Sequence, residues 1–137
     1  MNSINSLREK HGISFDYRDK NVIPRGKPLK EITELLQSNK CLLLCDGGNK
    51  IKEFNIYSNY LSTGSYIMAH DYAPNREYFL ENINKKRWNW FEIEDSDVED
   101  TMKKNRLTKS IYDKYFTQVA WVQCRKKRSY VSSTSKK

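Results

Sequence analysis

Two acidic residues and a histidine follow short apolar runs, and their side chains offer the clearest chemistry in this sequence. Asp46 comes directly after the run CLLLC (41–45), and the pair His70-Asp71 comes directly after SYIMA (65–69). Two carboxylates held near an imidazole repel each other unless a proton or a cation lies between them. Such a set suits Mg²⁺ or Mn²⁺, and the histidine favours manganese over magnesium. We therefore predict Asp46, His70 and Asp71 as catalytic and metal-binding residues.

Whether these side chains meet depends on two strands and the helix between them. The CLLLC run does not alternate with polar residues, which predicts a strand buried on both faces at the centre of a parallel sheet. Apolar residues at helical spacing predict a helix over 50–61, and 65–69 is predicted as the next strand. In an open parallel α/β sheet, ligands bind beyond the carboxyl ends of the strands. Neighbouring strands would therefore bring the three residues into one crevice.

A structural role explains the same residues. An aspartate after a buried strand commonly caps the next helix by accepting backbone N–H bonds. Gly47 and Gly48 can serve only to permit a sharp turn. For Asp46 alone the two explanations carry equal weight, but polar residues at both strand ends favour a functional crevice.

The rest of the chain alternates between helical and strand patterns. Helices are predicted over 1–12, 28–39, 75–86 and 95–105, strands over 13–17, 88–93 and 117–124, and a loop over 21–27. Strands separated by helical segments are typical of βαβ units. The expected fold class is α/β, with a Rossmann-like, mostly parallel sheet and flanking helices.

Composition and charge narrow the class of protein. The 137 residues are 37% hydrophobic and 12% aromatic, which is typical of one folded domain. No apolar run could cross a bilayer, no secretory signal is visible, and three cysteines lack disulfide-framework spacing. We expect a cytoplasmic protein without a membrane partner.

The net charge of +8 comes mainly from one segment. Residues 125–137 hold six of the 25 basic residues and no acid, so 19 bases remain against 17 acids, or +2. We therefore expect a domain over 1–124 and a basic, disordered tail over 125–137. Such a tail is usually solvated, but contact with a nucleic acid is the alternative. The aromatic segment 88–91 similarly admits core packing, a lid over the crevice, or stacking on single-stranded nucleic acid or sugars.

The region from 41 to 72 resembles a known family. The motif LLCDGGNK (43–50), a helix, Gly64 and the motif IMAHDY (67–72) are similar to the fourth and fifth strand region of class I S-adenosylmethionine-dependent methyltransferases. The most similar branch includes the cephalosporin hydroxylases and the rhamnosyl or macrolide-sugar O-methyltransferases. In that branch, a first acid and a later acidic pair hold a divalent metal that binds two substrate oxygens.

The resemblance implies a metal-assisted O-methyl transfer to a sugar or another small-molecule hydroxyl. Asp46 and Asp71 match two metal ligands of the family, and His70 stands where an acid is usual. Some relatives have a histidine base three residues after the first acid, whereas this chain has Asn49, whose amide takes no proton at neutral pH. A catalytically inactive descendant used for binding or assembly is therefore an alternative. A nucleic-acid-associated module acting through the tail and the 88–90 segment is the other.

S-adenosylmethionine is the cofactor that the resemblance implies, with Asp16 (or, alternatively, Asp19), Asp46, Gly47 and Gly48 at the positions that approach it. The family builds this site mainly from a first strand, a glycine-rich turn and an acid that ends the second strand. The chain has no G-x-G pattern after a strand, so residues 13–124 resemble only the carboxy-terminal part of the domain. We expect the chain alone to bind this cofactor weakly or not at all.

Loss of the first strand has a consequence for partners, because that strand pairs with the fourth in this fold. Its absence would leave the strand at 42–44 with an open apolar edge, and such edges recruit other strands. We expect a homodimer through this edge, the 13–17 strand in the gap, or a separately encoded amino-terminal half.

Overall fold

The computed structural model describes residues 21–128, which form one mixed sheet with helices around it. The strands are β1 (Leu42–Cys45), β2 (Tyr66–His70), β3 (Leu107–Lys109) and β4 (Trp121–Lys126). The helices are α1 (Lys30–Ser38), α2 (Lys50–Tyr57), α3 (Arg76–Tyr78), α4 (Asp95–Asn105) and α5 (Asp113–Thr117). Short 3₁₀ turns lie at Pro24–Gly26 and Ser58–Tyr60, and a π-helical turn over Phe79–Ile83 continues α3.

The strand order is β1-β2-β4-β3. β1 and β2 are parallel, as predicted, whereas β4 is antiparallel to both β2 and β3. The α/β class with flanking helices is therefore confirmed, but the sheet is mixed and not mostly parallel. The short connection between β3 and β4 explains their antiparallel pairing. Adjacent parallel strands need a crossover of a dozen or more residues, whereas antiparallel strands do not. Residues 110–120, with the short helix α5, return the chain from β3 directly into β4.

One face of the sheet carries the main core. Ile67, Ala69, Val122 and Cys124 from the two central strands pack there against the buried faces of the longer helices, including Leu36, Phe54 and Val98. α1 shows how the sequence produces this packing, since Ile32 and Leu36 are one turn apart and buried while Leu35 faces solvent.

β1 lies at the edge of the sheet among residues 21–128, so the prediction of a central strand buried on both faces was wrong. Cys45 is buried, but Leu42 and Leu44, which point to the other face, are 53% and 54% exposed. A continuous apolar run does not tell which faces are covered. The expected open apolar edge is present in the described part of the chain.

Most predicted elements are confirmed near their expected bounds. The helix over 95–105 has the predicted ends, and those over 28–39, 50–61 and 75–86 are each shorter or continue as 3₁₀ or π turns. The predicted strand over 88–93 was wrong, because this segment forms only isolated bridges to Asn84 and Tyr72. The last strand starts at Trp121, since Thr117 ends α5, and β3 and α5 were not predicted.

Several predictions concern the ends of the chain. The helix over 1–12, the strand over 13–17, Asp16, Asp19 and the segment 129–137 lie outside the described residues. The expected tail starts inside the sheet, since β4 includes Lys126 and the Lys127 N–H donates to Arg106 O. Across residues 21–128, no helix is both long enough and apolar enough to span a bilayer.

Candidate metal centre

The ends of β1 and β2 bring the three predicted residues together. Cys45 pairs with Ala69 in parallel register, so the residues that follow them, Asp46 and His70, lie side by side. His70 Nδ1 is 3.2 Å from Asp46 Oδ1 and 3.3 Å from Asp71 Oδ1. One potential ligand atom of each residue lies within 4.8 Å of the others. The two strand ends thus form one polar cluster, which we call the acidic cluster (Asp46, His70, Asp71).

The backbone at Asp71 explains how two consecutive residues can share one cluster. Successive side chains of a strand point to opposite faces. Asp71, however, has a φ of 57°, in the left-handed region that non-glycine residues rarely adopt. This turn ends β2 and brings the Asp71 carboxylate to the same side as the His70 ring. Strained backbone of this kind is common at functional sites.

Lys50, which sequence reasoning missed as a site residue, lies buried beside the acidic cluster. Its Nζ is 2.9 Å from Asp71 Oδ2 and 3.2 Å from Glu92 Oε1, and it donates to Gly47 O at 3.1 Å. Burial alone would lower the Lys50 pKa, but the bonds and charges of Asp71 and Glu92 outweigh it and raise this pKa. Lys50 is therefore a fixed cation at neutral pH. The available signal was a lysine in the first turn of a helix, where the dipole disfavours positive charge.

All three tryptophans of the chain surround the cluster. The His70 ring centroid is 4.7 Å from that of Trp121 and 5.3 Å from that of Trp88. Trp88 Nε1 donates to Asp71 Oδ1 at 2.6 Å, and the Trp90 ring lies 5.9 Å from Lys50 Nζ. Trp88 and Trp90 are 41% and 49% exposed, so core packing does not account for them. The segment that carries them borders the acidic cluster.

Gly47, Gly48 and Asn49, in the turn between β1 and α2, have different surroundings and different roles. Asn49 is the N-cap of α2, its side chain accepting from the Lys52 N–H at 3.1 Å, so the cap role considered for Asp46 belongs to Asn49. A Cβ on Gly47 would lie under 3.0 Å from the Glu53 carboxylate, to which the Gly47 N–H donates. Gly48 has open space around it. The small size of Gly47 therefore has a packing reason.

Charge in this region is unbalanced toward the negative. The carboxylates of Asp71, Glu92 and Glu53 lie around one ammonium, that of Lys50, and the Asp46 carboxylate lies against His70. Burial raises the pKa of Glu53, against the opposing hydrogen bonds of Gly47 and Asn49.

The donor atoms of the acidic cluster are of the kinds that bind divalent ions. An excess of carboxylates attracts cations, and oxygen and imidazole donors suit Mg²⁺ or Mn²⁺. Donors about 2.1 Å from one ion are at most about 4.2 Å apart, so the acidic cluster could close on an ion with side-chain movement under about 1 Å. The donor set fits a divalent metal.

The cysteines take no part in this site. Cys45 and Cys124 are buried and Cys41 is half-buried. Burial raises the pKa of the Cys45 thiol, and it raises that of Cys124 to about 12. Cys45 and Cys124 therefore behave as small core residues.

No protein family, curated protein or solved structure matches this chain. The geometry of the acidic cluster and the sequence resemblance are therefore the grounds for a function.

Proposed function

We propose that this chain is the carboxy-terminal part of a class I methyltransferase-like domain in which Asp46, His70 and Asp71 hold a divalent metal. The reaction would be O-methyl transfer from S-adenosylmethionine to a sugar or another small-molecule hydroxyl. The observation that carries the proposal is the convergence of these three side chains at the ends of two adjacent parallel strands.

The topology of the sheet supports the proposal. Among residues 21–128, β4 is the last strand, and it lies antiparallel between β2 and β3. The parallel pair β1–β2 corresponds to the fourth and fifth strands that the sequence motifs resemble.

Methyl transfer is an in-line displacement on a sulfonium, so the protein contributes mainly orientation. A bound divalent ion would lower the pKa of a coordinated substrate hydroxyl. Lys50 and Trp88 orient the Asp71 carboxylate, and the exposed Asp46 carboxylate faces solvent where an acceptor could enter. The two residues after Gly48 cannot serve as base, since Asn49 is a capping amide and Lys50 is held protonated.

The methyl donor needs more than the described residues supply. Asp46 and Gly48 are exposed at the end of β1, where the resemblance implies the cofactor, but the chain has no glycine-rich turn after a strand. We propose that a complementing amino-terminal half or a second copy completes this part of the site. The chain alone is expected to show weak or no heat of binding with S-adenosylmethionine in calorimetry, with or without Mn²⁺.

A metal titration tests the proposal directly. Because Trp88 and Trp121 pack against His70 and Trp90 lies near Lys50 beside the acidic cluster, paramagnetic Mn²⁺ bound there should quench tryptophan fluorescence saturably, with one ion per chain. Asp46→Asn and His70→Ala should each weaken binding at least about tenfold, since each removes a ligand. Asp100→Asn, an exposed acid on α4, is the matched control and should leave binding unchanged. Equal Mn²⁺ affinity of the wild type and the three variants would overturn the proposal.

A catalytically inactive binding or assembly module is the second candidate. The observation that favours it is the structural use of Asn49 as a helix cap where some relatives have a base. The two candidates differ in the fate of the methyl group once the complementing half is supplied. Transfer from labelled S-adenosylmethionine to an acceptor would support the enzyme, and stable metal binding without transfer would support the inactive module.

The described start of the basic tail lies away from the tryptophans, which weighs against a single nucleic-acid surface made of both. β4 starts at Trp121, opposite His70, and ends beyond Arg125, opposite Tyr66. Lys127 and Arg128, the described residues after β4, therefore lie at the other end of the sheet. Lys103, Arg106 and Lys127 line a cavity of about 420 Å³ there. A truncation that tests tail binding should remove 129–137 and keep β4 intact. The tail hypothesis predicts that this truncation reduces the salt dependence of polynucleotide binding.

A further inference from the structure

Both oxygens of the Asp71 carboxylate bond to groups outside the acidic cluster. Oδ2 is 2.9 Å from Lys50 Nζ, and Oδ1 accepts the Trp88 indole N–H at 2.6 Å. Oδ1 is also the oxygen that faces His70 Nδ1, at 3.3 Å. The carboxylate is therefore held in one rotation, with Oδ2 toward the lysine and Oδ1 toward the His70 ring and the Trp88 indole.

The Lys50 ammonium is saturated by this arrangement. An ammonium has three N–H donors, and Lys50 Nζ contacts three acceptors: Gly47 O, Asp71 Oδ2 and Glu92 Oε1. These acceptors come from the turn after β1, the end of β2 and the segment before α4. The Lys50 backbone N–H adds a second bond to Glu92, through Oε2 at 3.0 Å. With all its donors used inside the protein and 6% exposure, Lys50 has none left for a substrate.

We propose that Lys50 is a positioning residue of the metal centre: it holds Asp71 so that Oδ1 faces His70, and it holds the tryptophan-bearing segment 88–92 against the site through Glu92. The assignment rests on the proposed metal-binding function. Hydrogen-bond donors that contact a metal-ligating carboxylate, without contacting the metal, orient that carboxylate. Their loss typically weakens metal affinity by ten- to a hundredfold.

A second role for the lysine predicts the opposite result, which makes the assignment testable. If Lys50 acted only as a counter-charge, its removal would leave the cluster more negative, and Mn²⁺ would bind more tightly. If it positions Asp71, removal frees the carboxylate to rotate, and Mn²⁺ binds less tightly despite the added negative charge. The sign of the change therefore separates the two roles.

The experiment compares the full chain with Lys50→Met, Lys50→Arg and the matched control Lys52→Met, an exposed lysine on the same helix. Mn²⁺ affinity is measured by electron paramagnetic resonance of free Mn²⁺, with near-ultraviolet circular dichroism to establish folding. We expect about tenfold weaker binding for Lys50→Met, partial recovery for Lys50→Arg, and no change for Lys52→Met. Affinity for Lys50→Met equal to or tighter than that of the wild type would overturn the assignment.

A second measurement needs no metal. Release of Glu92 should expose the indoles of Trp88 and Trp90. Lys50→Met should therefore increase acrylamide quenching of tryptophan fluorescence in metal-free protein, and unchanged quenching would contradict the anchoring role.

A second variant covers the case in which Lys50→Met does not fold. Trp88→Phe removes the other donor to Asp71 while keeping a ring, and it should weaken Mn²⁺ binding severalfold. Unchanged Mn²⁺ affinity of this variant would count against the assignment. A wild-type chain that binds no Mn²⁺ overturns the proposed function itself, whereas wild-type binding with an unaffected Lys50→Met overturns only this inference.

Discussion

His70 Nδ1 lies 3.2 Å from Asp46 Oδ1, so a side-chain contact joins the ends of two parallel strands that are already paired through their backbones. A shift of one residue in this pairing would displace Asp46 by about 3.3 Å along the strand. It would also move every β1 side chain to the opposite face. The burial of Cys45 and the partial burial of Leu43 on the core side oppose such a shift. The same apolar residues that form the core thus determine whether the acidic cluster can form.

Gly47→Ala should destabilise the protein, because its Cβ would collide with the Glu53 carboxylate and disrupt the bond from the residue 47 N–H. Loss of a hydrogen bond to a charged group costs about 1–3 kcal/mol, which urea denaturation would show as a lower free energy of unfolding. Gly48→Ala is the control, since a Cβ there meets nothing within 4 Å. Equal effects of the two substitutions would contradict this account of the turn.

Asn49→Ala should lower the free energy of unfolding by about 0.5–2 kcal/mol, the usual effect of losing an N-cap. Asn49→Asp should retain most of the stability, because a carboxylate accepts the Lys52 N–H equally well. Thermal and urea unfolding of both variants would measure the difference. If Asn49→Asp were as unstable as Asn49→Ala, the side-chain cap would not be the reason for an asparagine at this position.

Two of the three thiols should resist modification in the folded protein. The pKa of Cys124, about 12, is raised by burial, so at pH 8 only about one molecule in ten thousand carries this thiolate, the reactive form. Burial raises the pKa of Cys45 as well. Reaction with a disulfide reagent at pH 8 should therefore show one faster thiol, that of the half-buried Cys41, and three after unfolding. Because the pKa values of Cys45 and Cys124 are both raised, a higher pH should increase the reactivity of these two buried thiols. Three equally fast thiols in native protein would refute the prediction.

The exposed leucines of β1 should mediate association. Leu42→Lys together with Leu44→Lys places charge on an apolar edge strand, which blocks strand pairing between molecules. We expect at least about tenfold weaker self-association, or weaker binding of a complementing half, in sedimentation velocity over a concentration series. Leu80→Lys is the matched control, since Leu80 is 51% exposed but lies in the π-helical turn. Equal weakening by Leu80→Lys would show that the edge has no special role.

The acidic cluster could be predicted because its determinants are local. β1, α2 and β2 are consecutive, each has a clear apolar pattern, and parallel neighbours place their carboxyl ends together. α4 was equally visible, because the acid Asp97 lies where it accepts the N–H of Glu94 and starts the helix. In both cases the interactions that form the structure lie close together in the sequence.

The features that were missed depend on distant partners. Glu92, which bonds to Lys50, is 42 residues away along the chain. β4 enters the sheet beside β2 through pairing of residues more than 50 positions apart, such as Ile67 with Cys124. The aromatic segment around Trp88 has the composition of a strand, but its side chains bond to the site and its backbone does not join the sheet. Local propensity contains no information about these contacts.

The insertion of β4 between β2 and β3 restricts the order in which the protein can fold. β3 has β4 as its hydrogen-bonded neighbour, so residues 107–109 are synthesised before the strand with which they pair. The antiparallel half of the sheet must therefore form after translation has passed Lys126. Of the described strands, β1 and β2 alone can pair before then, and the unpaired edge of β2 is the kind of surface that promotes aggregation of partly folded chains.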